Sequence, residues 1–227
     1  MKQLYTALFA TVAIAAGIQR SEALTVDELG AGAAEIVMVN ISGIGTIPVD
    51  AGVLKLDVGG LQVDGFCIDP FHFSDGLMAG YQVVGLTSAP KGNFMSSGTA
   101  LQIERLWGSH YSPTMSAGDA AGVQIAIWEL VGGNRFSLSS PNDFGAAGFL
   151  AALQDPAYDG PVADLVGLTG PGQDYGVAAP SVQALTRVVP EASSTASLLG
   201  IALLIMLVPL RRVDRFAPCE PVHNRND

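Results

Sequence analysis

Basic side chains are scarce in this chain. From Leu24 to Pro190 positive charge is carried by Lys55, Lys91, Arg105, Arg135 and Arg187 alone, acidic residues outnumber them throughout, and the formal net charge of the 227-residue chain is -10. A surface of that sign repels phosphates, so nucleic acid is excluded as an expected partner. The acidity suits a protein domain outside the cell without naming its ligand. Gly-rich phosphate loops, dinucleotide fingerprints and clusters at metal-ligand spacing are also missing, and His110 stands far in sequence from any second ligand. No cofactor and no metal is expected.

Cysteine is nearly absent: there are two, Cys67 and Cys219. The ends of the chain decide what that means. Residues 1–23 carry Lys2, an apolar run from Leu4 to Ile18 that is too short to span a membrane, and small residues at Ser21 and Ala23. This pattern predicts a signal peptide cleaved after Ala23. Near the other end an apolar stretch over 192–210 is followed at once by Arg211, Arg212 and Arg215, then by a polar tail over 216–227. That stretch is close to the roughly twenty residues a helix needs to cross a bilayer, and the arginines should stay cytoplasmic. The expectation is one C-terminal transmembrane helix at 192–210, with a buried core helix as the alternative. The anchor then separates the two cysteines, and Cys67 is an unpaired thiol in an oxidising compartment. It is either a passive core cysteine or held in some other covalent state.

The exported segment, 24–188, is long enough for one domain. Its first half is short, β-prone and punctuated by glycine, with expected strands at 35–41, 53–58, 61–68 and 81–86 and a hairpin turn at Gly59-Gly60. After Pro90 the period changes. Helices are expected at 99–107, at 120–131 with Ser116 as cap and Asp119 three residues on, and at 143–153, followed by a loop over 155–180. The fold class expected is therefore α+β: a β-rich, sandwich-like N-terminal half, a helical C-terminal half and the transmembrane helix.

On the second helix Gln124 and Trp128 are four apart and share a face. A glutamine on so apolar a helix is either a surface residue beside a half-exposed tryptophan, or buried and then hydrogen-bonded or chemically altered. Two segments bear on the choice. Gly65-Phe66-Cys67-Ile68-Asp69-Pro70-Phe71-His72 resembles the first motif of the thioester-domain family of bacterial surface proteins, and Val123-Gln124-Ile125-Ala126-Ile127-Trp128-Glu129 resembles the second, T-Q-x-A with a following tryptophan, Val123 standing in the threonine's place. The resemblance implies an internal cross-link in which the Cys67 thiolate attacks the Gln124 carboxamide carbon and ammonia leaves. His72 and Asp69 would assist with protons, while Phe66, Phe71 and Trp128 would shield the bond from water. The plainer readings are a surface or core histidine for His72 and a turn former for Asp69. A formed thioester is a stored electrophile for amines on an outside surface, which makes a single-use anchor and not a turnover enzyme.

The tail, Val189-Pro190-Glu191-Ala192, then the apolar run, then Arg211-Arg212, resembles the PEP-CTERM sorting signal of Gram-negative bacteria, with Ala192 where the second proline belongs. That resemblance implies the membrane and an exosortase-like processing enzyme as partners, and a surface or extracellular-matrix location over residues 189–215. Two other functions stay open. One is a non-reactive structural protein of the extracellular matrix or exopolysaccharide layer, in which Cys67 and Gln124 merely pack. The other is a cysteine hydrolase with His72 or His110 as base.

Overall fold

The computed structural model describes residues 23–74, 76–155 and 157–187. The chain begins with two long strands, β1 (Leu24–Ile41) and β2 (Gly45–Val58), then β3 (Leu61–Cys67) and β4 (Met78–Gly85). Two helices follow, α1 (Ser97–His110) and α2 (Ala117–Gly132), then the short strand β5 (Phe136–Leu138) and helix α3 (Ala146–Leu153). Strands β6 (Leu165–Thr169) and β7 (Tyr175–Ala178) and helix α4 (Ala179–Arg187) complete the described chain. The strands form one antiparallel sheet in the order β2-β3-β7-β6-β4-β1-β5. Because β1 also pairs with β2, the first six strands in that order close on themselves and β5 hangs on β1.

Local chemistry accounts for the elements that the sequence made visible. In β1 the side chains of Val37, Val39 and Ile41 are buried while those of Ile36 and Met38 face solvent, the period of two that a half-buried strand requires. Gly59 and Gly60 both take positive φ, 60° and 89°, which turns β2 tightly back into β3. The side chain of Asp57 accepts from the Gly60 N–H at 2.7 Å and closes that turn. In α1 Ala100, Ile103, Leu106 and Trp107 are buried at three- and four-residue spacing.

Helix α2 is different, since every residue from Ala120 to Trp128 is buried. Its cap is the expected one: Ser116 accepts from the Asp119 N–H at 3.1 Å and donates to its carboxylate at 2.6 Å. Small residues allow it to be enclosed. A Cβ on Gly122 would lie 2.3 Å from the Phe144 carbonyl oxygen, and one on Gly132 would lie 2.4 Å from the Phe136 Cβ, so α3 with its lead-in and β5 press directly on the helix backbone. The helix also packs on β1, β2, β3 and α1.

The expected division into a β-rich first half and a helical second half does not hold. Strands β5, β6 and β7 come from the second half and complete the sheet, with β6 and β7 falling inside the stretch expected as loop. Segments as short as LVGLT and YGVA carry too few residues for a visible period. Their strand character comes from pairing with β4 and β3, which lie far away in sequence. A two-sheet sandwich is likewise replaced by one closed sheet wrapped by helices. The transmembrane helix is also withdrawn: among the described residues no helix is long and apolar enough to cross a membrane. The span expected at 192–210 lies outside the described residues, as do all but the last residue of the signal peptide expected over 1–23, the sorting residues Val189, Pro190, Glu191, Arg211 and Arg212, and Cys219.

Candidate functional site

Cys67 is the last residue of β3, it is 2 % exposed, and its thiol is free. Successive residues of a strand point to opposite faces, which separates it from Phe66. The Phe66 ring is fully buried on the other side, edge-on to Trp107 at 5.1 Å and to Tyr111 at 6.3 Å. Phe66 is thus a core residue packed on α1, and the shielding role expected for it is not what its position allows.

Two carboxamides converge on Cys67. Gln124, 1 % exposed on α2, binds the cysteine's backbone: its Oε1 accepts from the Cys67 N–H at 3.0 Å and its Nε2 donates to the Cys67 carbonyl at 2.7 Å. This double bond to one residue satisfies a buried polar side chain and a strand end together. Gln173, in the β6–β7 connection, touches the sulfur itself, with Nε2 2.6 Å from Sγ. That separation is short even for an N–H···O bond, although sulfur is the larger atom. Sequence reasoning passed over Gln173 because it sits in a Gly/Pro/Asp-rich stretch with no period.

The backbone around Gln173 is held from both sides. The Tyr81 hydroxyl donates to the Gln173 carbonyl at 2.8 Å, and the carbonyl of Asp174 accepts from the Ile68 N–H at 3.0 Å. The carboxylate of Asp174, fully buried, accepts from the N–H groups of Gly170 at 3.0 Å and Lys91 at 2.5 Å. Burial pushes the Asp174 carboxyl up in spite of those two bonds. Register adds a further constraint: Cys67 lies directly opposite Tyr175, so those side chains share a face, and the Tyr175 hydroxyl donates to Glu28 at 3.1 Å.

The other expected site residues divide. Asp69 and His72 are joined, Oδ2 to Nδ1, at 2.6 Å, with the aspartate buried and the imidazole largely exposed. The Cys67 thiol donates to the Asp69 backbone carbonyl at 3.2 Å, and the Asp69 carboxylate accepts from the Phe71 N–H at 3.0 Å. Asp69 therefore shapes the turn after the cysteine as well as orienting His72. Phe71 lies under the Arg135 guanidinium, 3.9 Å from its ring centre, and does not line the cleft at the sulfur. Trp128 does line it, its buried indole N–H close enough to the Cys67 sulfur to favour the thiolate although outside strict hydrogen-bond geometry. His110 stacks on Phe149 at 4.1 Å, apart from the cleft.

Burial pushes the Cys67 thiol up to about 12, against a lesser opposing pull from the Trp128 indole and the hydrogen bond to Asp69. Burial thus favours the protonated thiol at neutral pH. The sulfur opens on a half-enclosed cleft of about 210 Å3 whose lining includes His72, Trp128, Gln173, Glu28 and Asp50. Comparison of the chain with protein-family models, with curated proteins and with solved structures found no match.

Proposed function

We propose that this chain is an exported surface protein whose domain forms one internal thioester at Cys67 and uses it for covalent attachment to an amine. The observation that carries the reading is the carboxamide of Gln173 pressed against the sulfur at 2.6 Å. Of the two carboxamides at Cys67, that of Gln173 contacts the sulfur, whereas that of Gln124 binds the cysteine's backbone. In the reaction the thiol loses its proton, Sγ bonds to the Gln173 side-chain carbon, the C–N bond breaks, and nitrogen leaves with the proton as ammonia. Because an amide is a poor electrophile, the step depends on held geometry, which the bonds to Tyr81, Ile68, Gly170 and Lys91 supply.

This moves the acyl partner from Gln124 to Gln173. Both polar ends of Gln124 are engaged by the Cys67 backbone, a bracing role that fixes the cysteine. His72 and Asp69 border the site as a hydrogen-bonded pair, able to pass the proton toward solvent. The cysteine-hydrolase reading has less support, since the partners of the sulfur are the Asp69 carbonyl and the Gln173 carboxamide and, among the described residues, no histidine is hydrogen-bonded to it. The leader over 1–23 and the sorting-like residues of the tail support an exported, surface-associated protein with an exosortase-like enzyme as processing partner.

An intact-mass measurement tests the reading. The folded exported chain should be lighter than its sequence by one ammonia, and digestion should yield a Cys67–Gln173 cross-linked peptide. Methylamine should add at Gln173. A full-mass chain with both side chains unmodified would leave the alternative, a non-reactive matrix protein in which these residues only pack; addition at Gln124 would return the acyl role to the helix.

A further inference from the structure

A second cleft belongs to the other face of β3. Successive strand residues alternate in direction, so Asp64 and Phe66 point away from the side that Cys67 takes. Asp64, its cross-strand partner Lys55, Gln62, Trp107, Tyr111 and Ser181 line a cleft of about 680 Å3. That volume lies within the ~300–1,000 Å3 of small-molecule sites and is several times the ~150 Å3 that holds a benzene ring. Two aromatic side chains form one part of the lining. Trp107 and Tyr111 pack at 4.7 Å with their planes tilted by 37°, and the buried Phe66 ring meets both edge-on. The polar part is held as well: Asp64 accepts from the Lys55 ammonium at 2.6 Å through one oxygen and from the Tyr111 hydroxyl at 2.9 Å through the other. Burial, and then that bond to Asp64, pushes the Tyr111 hydroxyl up, so it stays a donor.

We propose that this cleft binds a neutral saccharide, its rings against Trp107 and Tyr111 and its hydroxyls hydrogen-bonded by Lys55, Gln62 and Ser181. Charge decides against other small ligands. The ammonium of Lys55 and the carboxylate of Asp64 are already paired with each other. An anion would meet a lysine whose charge is answered, on a chain of net charge -10, and a cation would meet a carboxylate with both oxygens engaged. An uncharged molecule rich in donors and acceptors meets neither obstacle. The Lys55 ammonium keeps two further N–H donors, the Gln62 carboxamide offers a donor and an acceptor, and the Ser181 hydroxyl is either. Gln62 and Ser181 are exposed and can exchange water for a ligand. A sugar ring suits the aromatic part, because its C–H groups carry partial positive charge and the face of an aromatic ring is negative. The site stands apart from the thioester reading, since Cys67 points to the opposite face of the strand.

The test titrates the full chain with neutral tetrasaccharides of glucose, N-acetylglucosamine and mannose and follows the indole resonances of its two tryptophans. At least one sugar should shift Trp107 saturably at millimolar concentration and leave Trp128, which lines the other cleft, unmoved. Gln62→Ala combined with Ser181→Ala should weaken that binding about tenfold. Both side chains are exposed, so the amide spectrum of the double variant should otherwise match that of the parent chain. The tetramer of galacturonic acid, with a carboxylate on every ring, should bind about tenfold more weakly than the neutral sugar. Affinity that rises from monosaccharide to tetrasaccharide marks a glycan chain as the ligand, and equal affinity marks a free sugar; either upholds the site. No saturable Trp107 shift with any of the neutral sugars, a shift undiminished in the double variant, or tighter binding of the acidic tetramer overturns it, whether or not the mass spectrum shows a thioester. A proline-rich peptide that shifts Trp107 where no sugar does would assign the cleft to a protein partner and likewise overturn the proposal.

Discussion

Gln124 and Gln173 present the same functional group to the same cysteine, and their partners separate their roles. Gln124→Ala would strip the Cys67 N–H and carbonyl of their partners in a buried site, at about 1–3 kcal/mol for each group left unpaired. Urea unfolding should show that loss, and the cross-link yield should fall with it. Gln173→Ala should abolish the ammonia loss in the mass spectrum with a much smaller effect on the thiol form, since its side chain is only partly buried. The open thiol also carries a pH signature. Its value is 9.0 in the unfolded chain and about 12 in the native one, so both states hold the proton below 9.0 and the contribution to stability is fully present there. Above that the unfolded chain releases a proton that the native one keeps, and stability falls by up to about 1.4 kcal/mol per pH unit until the native thiol also ionises. The stability difference between Gln173→Ala and the double variant with Cys67→Ala should shrink along that slope.

At the scale of elements, α2 and the β6–β7 hairpin set the geometry in opposite ways. The helix was readable in the sequence because its cap, its length and its terminal Gly132-Gly133 pair are local signals. Its burial follows from Ala120, Ala121 and Gly122 taking little room. Gly122→Ala would drive a methyl carbon to 2.3 Å from the Phe144 carbonyl, so a cost of about 1–3 kcal/mol is expected in thermal or chemical unfolding. The hairpin was not readable: its strands are short, and its turn residues look like any loop. Asp174 holds it by accepting from Gly170 and Lys91, so Asp174→Ala should loosen Gln173 and lower the thioester fraction in the mass spectrum before it lowers overall stability. The motif around Cys67 was legible as a candidate reactive cysteine, and its partner was sought on the helix because only there does a sequence pattern surround a glutamine.

For the whole molecule the cross-link would tie β3 to the β6–β7 connection, positions 106 apart in the chain. Joining residues so distant restricts the unfolded chain, and in the entropic model a loop of that size contributes about 4.7 kcal/mol. The intact thioester form should therefore resist urea better than the same chain opened by methylamine, with Gln173→Ala unfolding near the opened form. Equal midpoints for all three would mean that no bond spans the sheet. The closed strand order makes this arrangement possible, because β7 lies between β3 and β6 and thereby delivers the residues preceding it to the end of β3.

Charge balance, the Ser116 helix cap, the Gly59-Gly60 turn and the Cys67 segment were determined by residues near one another in the chain, and each acts over a few bonds, so the sequence alone disclosed them. Which carboxamide reaches the sulfur, which faces Phe66 and Cys67 take, and that the sheet closes were decided only when β6 and β7 found their partners. Those pairings join segments far apart in sequence, and their stability comes from hydrogen bonds and burial that no local window contains.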